Sequence, residues 1–181
     1  MCGIAGFYGH GDSADIRAMT DALAHRGPDG HGYHLDEANR IFLGHRRLAI
    51  LDLEGGAQPM WNEDRTIAVI FNGEIYNHAE LRELLVGRGH RFSSHHSDTE
   101  VLVHGYEEWR HDLPCRLNGM FAFAIWDSRR AQIFLARDRF GEKPLFYTRS
   151  GGFFAFASEL RSLASHRHFD ASIDNRSLQK L

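Results

Sequence analysis

The chain has 181 residues, about the size of one domain, with 43% hydrophobic and 25% charged residues, a composition that places it among globular proteins. A formal net charge of -3 gives no electrostatic basis for a nucleic-acid partner, and two cysteines, Cys2 and Cys115, are too few for a disulfide framework. No apolar run reaches the roughly 18 residues a membrane helix needs, and Met1-Cys2-Gly3-Ile4 lacks an export signal, so a cytoplasmic location is expected.

In chain order, Ile4-Ala5-Gly6-Phe7-Tyr8 reads as a short buried strand. A helix is expected over residues 13–24, with Ser13 as its cap and Ile16, Met19, Ala22 and Leu23 on one face. His25-Arg26-Gly27-Pro28-Asp29-Gly30 is a turn-rich loop. Strands are expected at 40–43 and 66–71, followed by helices at 78–87 and 99–109. Further strands are expected at 120–126, 132–136, 145–147 and 153–157. Residues 120–125 are almost wholly apolar, which suits a strand buried on both faces. Turns rather than alternating helices join most of these strands, which argues for helices flanking antiparallel sheets and against a doubly wound parallel sheet. After about residue 165 the chain turns polar, and Asp174 to Leu181 resembles a capped helix that starts as the sequence stops, the expectation for a piece of a longer protein.

Cys2 is the first residue with possible chemistry. Removal of Met1 would leave a free α-amine on the cysteine itself. Such amines titrate near pH 7.7–8.0, and a terminal amine beside a nucleophile is a known activation route. The alternative is a small buried hydrophobe in the first strand. Asn72-Gly73 ends an apolar run, where a hairpin turn competes with an oxyanion hole made of the Asn72 side-chain amide and the Gly73 N–H. Arg47 and Asp98 are a solvated charge and a helix-capping carboxylate in one reading. In the other they are what a free amino acid requires, a guanidinium for its α-carboxylate and a carboxylate for its α-ammonium.

Seven segments appear in order: Met1-Cys2-Gly3-Ile4-Ala5-Gly6, Arg26-Gly27-Pro28-Asp29-Gly30, Gly44-His45-Arg46-Arg47-Leu48-Ala49-Ile50, Phe71-Asn72-Gly73-Glu74-Ile75-Tyr76-Asn77-His78, Ser97-Asp98-Thr99-Glu100, Gly119-Met120-Phe121-Ala122-Phe123-Ala124 and Ala136-Arg137-Asp138-Arg139-Phe140-Gly141. Together they resemble the class II glutamine amidotransferases, which are N-terminal-nucleophile hydrolases. Arg-Gly-Pro-Asp and Asn-Gly-Glu-Ile-Tyr-Asn point to the branch of glutamine-hydrolysing asparagine synthetases. The resemblance covers residues 2–163, taken as an amidotransferase domain, with 164–181 as a linker and the start of a synthetase domain that is not in this chain.

The resemblance implies an α+β fold, a four-layer αββα sandwich of two mainly antiparallel sheets between helices. It implies Cys2 as nucleophile with its own amine as base, and Asn72 and Gly73 as the oxyanion pair. Arg47 would bind the glutamine carboxylate, with Leu48, Ala49, Ile50 and Leu51 lining the pocket, and Glu74 and Asp98 would contact its amino group. L-glutamine would be hydrolysed to glutamate and ammonia, and the ammonia would serve ATP-dependent conversion of aspartate to asparagine in the C-terminal domain. A homodimer is a possible assembly, and no cofactor is expected in this domain, with ATP and Mg expected in the other. Ser150-Gly151-Gly152-Phe153-Phe154 imitates only the start of a pyrophosphate-binding signature, so a loop between strands is expected there. Other readings are an amidotransferase acting on another carboxylate and a glutamine-binding regulatory module without turnover.

Thirteen histidines prompt a test for metal. His90, His95 and His96, and His166 with His168, share no helix-face spacing, so no metal site is expected. Cys115 is expected to be a buried structural thiol. Arg137, Asp138, Arg139 and Lys143 form a dense charge group, either a surface salt-bridge set or support for an interface with the further domain.

Overall fold

Residues 67–75 and 119–127 are apolar at nearly every position, so strands formed from them have to be covered on both faces. A computed structural model, which describes residues 1–49, 56–94 and 97–172, shows how that cover is supplied. The elements in chain order are β1 (Gly3–Tyr8), α1 (Ser13–Asp21), β2 (Gly30–Asp36), β3 (Ile41–Arg47), β4 (Met60–Trp61), β5 (Ile67–Ile75), α2 (His78–Gly87) and α3 (Glu100–Trp109). A 3₁₀ segment (Arg110–Arg116) follows, then β6 (Gly119–Asp127), β7 (Gln132–Arg137), β8 (Phe146–Ser150), β9 (Phe153–Ala157) and α4 (Leu160–Ala164). One sheet has the order β2-β3-β1-β9-β8 and the other β4-β5-β6-β7, with antiparallel pairing throughout.

Alternation along each strand sorts side chains into three apolar layers. Ile4, Leu43, Ala68, Ile70, Ala122, Ala124 and Phe156 pack between the two sheets. Val69, Phe71, Phe123 and Ile125, on the opposite face of β5 and β6, pack on Leu81 and Leu85 of α2 and on Val101, Leu102 and Tyr106 of α3. Phe7, Phe42 and Ala155 face Ile16 and Met19 of α1 and Leu163 of α4. The result is the expected four-layer α-β-β-α sandwich.

Several boundaries differ from the sequence expectation. Asp12, not Ser13, caps α1, because Asp12 is extended while Ser13 is already helical; its carboxylate accepts from Ala14 N–H at 2.8 Å, and Asp15 returns the favour to Asp12 N–H at 2.9 Å. α1 stops at Asp21, and residues 22–26 continue in tight turns with bonds such as Ala24 N–H to Asp21 O. β3 runs on to Arg47 because β1 and β2 pair with it along its whole length. Ser150-Gly151-Gly152 does form the hairpin turn between β8 and β9. Cys115 is exposed on the 3₁₀ segment, which overturns its reading as a buried thiol. Residues 174–181, and His95 and His96, lie outside the described residues.

Candidate active site

Strand parity brings the candidate residues together. On β3, Leu43 faces the space between the sheets, so His45 and Arg47 do too. Gly3 pairs with Arg46, and one further step along that register sets Cys2 opposite Arg47. On β5, Ala68 and Ile70 face the same space, and Asn72 follows them. Cys2, Arg47 and Asn72 therefore meet at one end of the sandwich. They line a cavity of about 310 Å³ together with Leu48, Gly73, Glu74 and Asp98.

Asn72-Gly73 is not a hairpin turn: both residues lie inside β5, paired with Ala122 and Phe121 of β6. Phe121 turns its N–H and C=O toward Asp138, so Gly73 opposite it directs its amide away from β6. On that same edge, Phe71 N–H donates to Gln58 Oε1 at 2.6 Å and Ile75 N–H donates to Asp98 Oδ2 at 3.0 Å. The Gly73 N–H lies between these two and on the cavity wall. A Cβ at Gly73 would run into the Met120 carbonyl, so no larger residue fits this close approach. Asn72 is 1% exposed, and its Nδ2 has no acceptor among the described residues.

The cysteine is held by two segments. Leu48 N–H donates to Cys2 Sγ at 3.5 Å, and Arg26 Nε donates to the Cys2 carbonyl at 2.9 Å. Arg26 is itself fixed by Glu159 at 3.0 Å. The Arg26-to-Gly30 loop is clamped to the end of β3, where Asp29 N–H donates to Arg47 O at 3.0 Å and Asp29 Oδ2 accepts from Ala49 N–H at 2.9 Å. Gly27 permits this, since a Cβ there would strike the backbone of Arg46 and Arg47. Ala49 is thus tied to the loop and not to the cavity wall, while Ile50 and Leu51 lie outside the described residues.

Burial pushes the Asp98 carboxyl above its ordinary value, against the bond from Ile75 N–H; the nearby Glu74 pushes the same way and His78 opposes it. His45, behind the cavity, bonds Phe71 O at 3.2 Å across the sheets, and burial drives its pKa down to about 3. Glu100 does not cap α3: its carboxylate accepts from the backbone and hydroxyls of Ser93 and Ser94.

Sequence reasoning missed Arg26 as a holder of Cys2, and Gln58, Thr99, Met120 and Lys143 as wall residues. The charge group resolves differently from a surface salt-bridge set. Asp138 is buried, and although burial works to raise its pKa, bonds from Phe121, Phe140, Glu142 and Lys143 N–H hold it below the usual range. Asp138 therefore organises the 138–143 turn, which delivers buried Lys143 to the cavity.

Residues 1–181 match the family model described as a glutamine amidotransferase domain. The chain is 43% identical over 188 residues to asparagine synthetase [glutamine-hydrolyzing] 3 of Bacillus subtilis, covering 100% of this chain and 30% of that protein. It is 43% identical over 170 residues to asparagine synthetase [glutamine-hydrolyzing] 3 of Arabidopsis thaliana, covering 91% of this chain and 28% of that one. The glutamine phosphoribosylpyrophosphate amidotransferase of B. subtilis, solved with ADP and GMP, superposes with a TM-score of 0.71 at 22% identity, over 91% of this chain and 43% of that one. That last likeness shows the fold, and the chain spans under a third of the length of the curated relatives it matches.

Proposed function

The chain belongs to the glutamine amidotransferase domain family, and from that premise we propose that Cys2 is the nucleophile that hydrolyses the side-chain amide of L-glutamine. The observation that carries this reading is the buried Asn72 Nδ2, which has no acceptor among the described residues and lies on the wall it shares with Cys2. A buried donor left unpaired costs about 1–3 kcal/mol, and an oxyanion formed at that point would satisfy it.

Cys2 Sγ attacks the amide carbon, and the S–C bond forms as the oxygen gains charge facing Asn72 Nδ2 and the Gly73 N–H. The C–N bond then breaks, and the thiol proton leaves with ammonia by way of the Cys2 α-amine. Water, deprotonated by the same amine, cleaves the thioester to glutamate and restores the thiol. Arg47 takes the substrate carboxylate, and Asp98 with Glu74 takes its ammonium. Met1 lines the same cavity and converts that amine to an amide, so its removal belongs to the proposal.

The relatives are synthetases of about three times this length, which supports a larger assignment. Residues 2–163 are the ammonia-producing domain, and 164–181 lead to a further domain that uses ATP and Mg to convert aspartate to asparagine. Methionine-free chain tests the core of this reading. Glutamate release is expected from the wild type and is expected to collapse in Asn72→Ala. Glutamine binding without release by the wild type would identify a recognition module instead.

A further inference from the structure

His90, His104 and Glu107 stand apart from this cavity, with ligand-capable atoms within 4.8 Å of one another. His104 and Glu107 share a face of α3 at i, i+3. His90 is set beside them by the end of α2, where Gly89 (φ +98°) turns the chain and His90 N–H returns to Leu85 O at 3.1 Å.

The polar atoms converge in a specific way. His104 Nδ1 and His90 Nδ1 lie 3.1 Å and 3.3 Å from the same oxygen, Glu107 Oε2. The far nitrogen of each ring faces another carboxylate: His90 Nε2 is 3.1 Å from Glu108 Oε1, and His104 Nε2 is 3.8 Å from Glu100 Oε1. The second oxygen of Glu107 accepts from Asn62 Nδ2 at 2.8 Å. The His90 ring and the Glu107 carboxylate are thus backed by a carboxylate and an amide, an outer shell of the kind that orients ligands around a metal.

We propose that His90, His104 and Glu107 form a binding site for a divalent transition-metal ion of the zinc type, clamping α2 to α3. Two imidazoles and a carboxylate are a zinc donor set, with room for water as fourth ligand. A metal bound to the two Nδ1 atoms leaves the contact between His90 Nε2 and Glu108 in place. Access is open through a groove of about 300 Å³ bordered by Glu63, His90 and Glu107. The clamp matters for the catalytic cavity because Asp98 lies two residues before α3.

The test uses the chelator-treated full chain carrying Cys2→Ala and Cys115→Ala, so that no thiolate competes for metal. Titration with Co²⁺ is expected to give one equivalent bound with a Kd on the order of micromolar. The visible spectrum should be that of a tetrahedral nitrogen–oxygen site without a thiolate charge-transfer band, and Zn²⁺ should displace it. His90→Gln and Glu107→Gln are each expected to weaken binding by at least about tenfold. His90 is partly exposed, so its variant reports on binding even if the Glu107 variant disturbs α3. Absence of saturable Co²⁺ uptake by about 100 µM, or unchanged affinity in His90→Gln, would overturn the proposal.

Discussion

Leu48 meets the Cys2 thiol with both halves of its backbone: its N–H donates to Sγ at 3.5 Å, and its carbonyl accepts from Sγ at 3.8 Å. Arg26 grips the same residue from the other side, through the Cys2 carbonyl. Cys2, the proposed nucleophile, is thus held by the end of β3 and by a loop arginine. Arg26→Ala is expected to lower kcat by about 10²-fold, the scale for a misplacement near 1 Å, with little change in KM. Equal loss in KM would show that Arg26 acts on substrate binding instead.

Arg47 ends β3 in one sheet, Asp98 in the loop before α3 bonds the Ile75 N–H of the other sheet, and both line the cavity. Removing one partner of a desolvated charge pair costs roughly 2–5 kcal/mol, so Arg47→Ala and Asp98→Ala should each weaken glutamine binding on that scale. Asp98 also caps the Ile75 N–H. Asp98→Asn keeps an oxygen for that bond while losing the charge, so it should fall between wild type and Asp98→Ala. Calorimetry on a Cys2→Ala background measures all three.

Retention of Met1 should abolish turnover. It moves the free amine one residue away from the thiol and fills part of the cavity mouth. Intact mass set beside specific activity decides this, and full activity in a methionine-bearing sample would contradict the amine as base.

Much of this was legible in the residues. Leu81 and Leu85 mark the buried face of α2, and periodicity places that helix at its observed bounds. β2 was not legible, because Gly30–Asp36 is only partly buried and shows no apolar alternation. The Asn72-Gly73 turn signal misleads because β6 continues past it, pairing as far as Ile75 with Gly119. Cys2, Arg47, Asn72, Gly73 and Asp98 came from motif resemblance, but their convergence depends on strand parity and register, which no local pattern encodes. Gln58 and Lys143 reach the wall through long-range packing and carried no signal of their own.

His45 gives a pH signature. In the unfolded chain it takes up a proton near pH 6.5, whereas in the fold its pKa lies at about 3. Between those values the unfolded state binds more protons, so stability falls as pH drops through the window, by up to about 1.4 kcal/mol per unit. His45→Gln can still donate to Phe71 O but takes up no proton. The stability of wild type relative to this variant should therefore decline from pH 6.5 downward, as read by urea unfolding. A flat difference would mean that His45 is protonated in the folded state.

The central claim is that Cys2, freed of Met1, carries the glutamyl group. Acid-quenched mass spectrometry of methionine-free chain turning over glutamine tests it most directly. A glutamyl thioester is expected on the peptide that begins at Cys2, with no adduct and no glutamate release in Cys2→Ala. Glutamate release by Cys2→Ala within about tenfold of wild type would contradict the account.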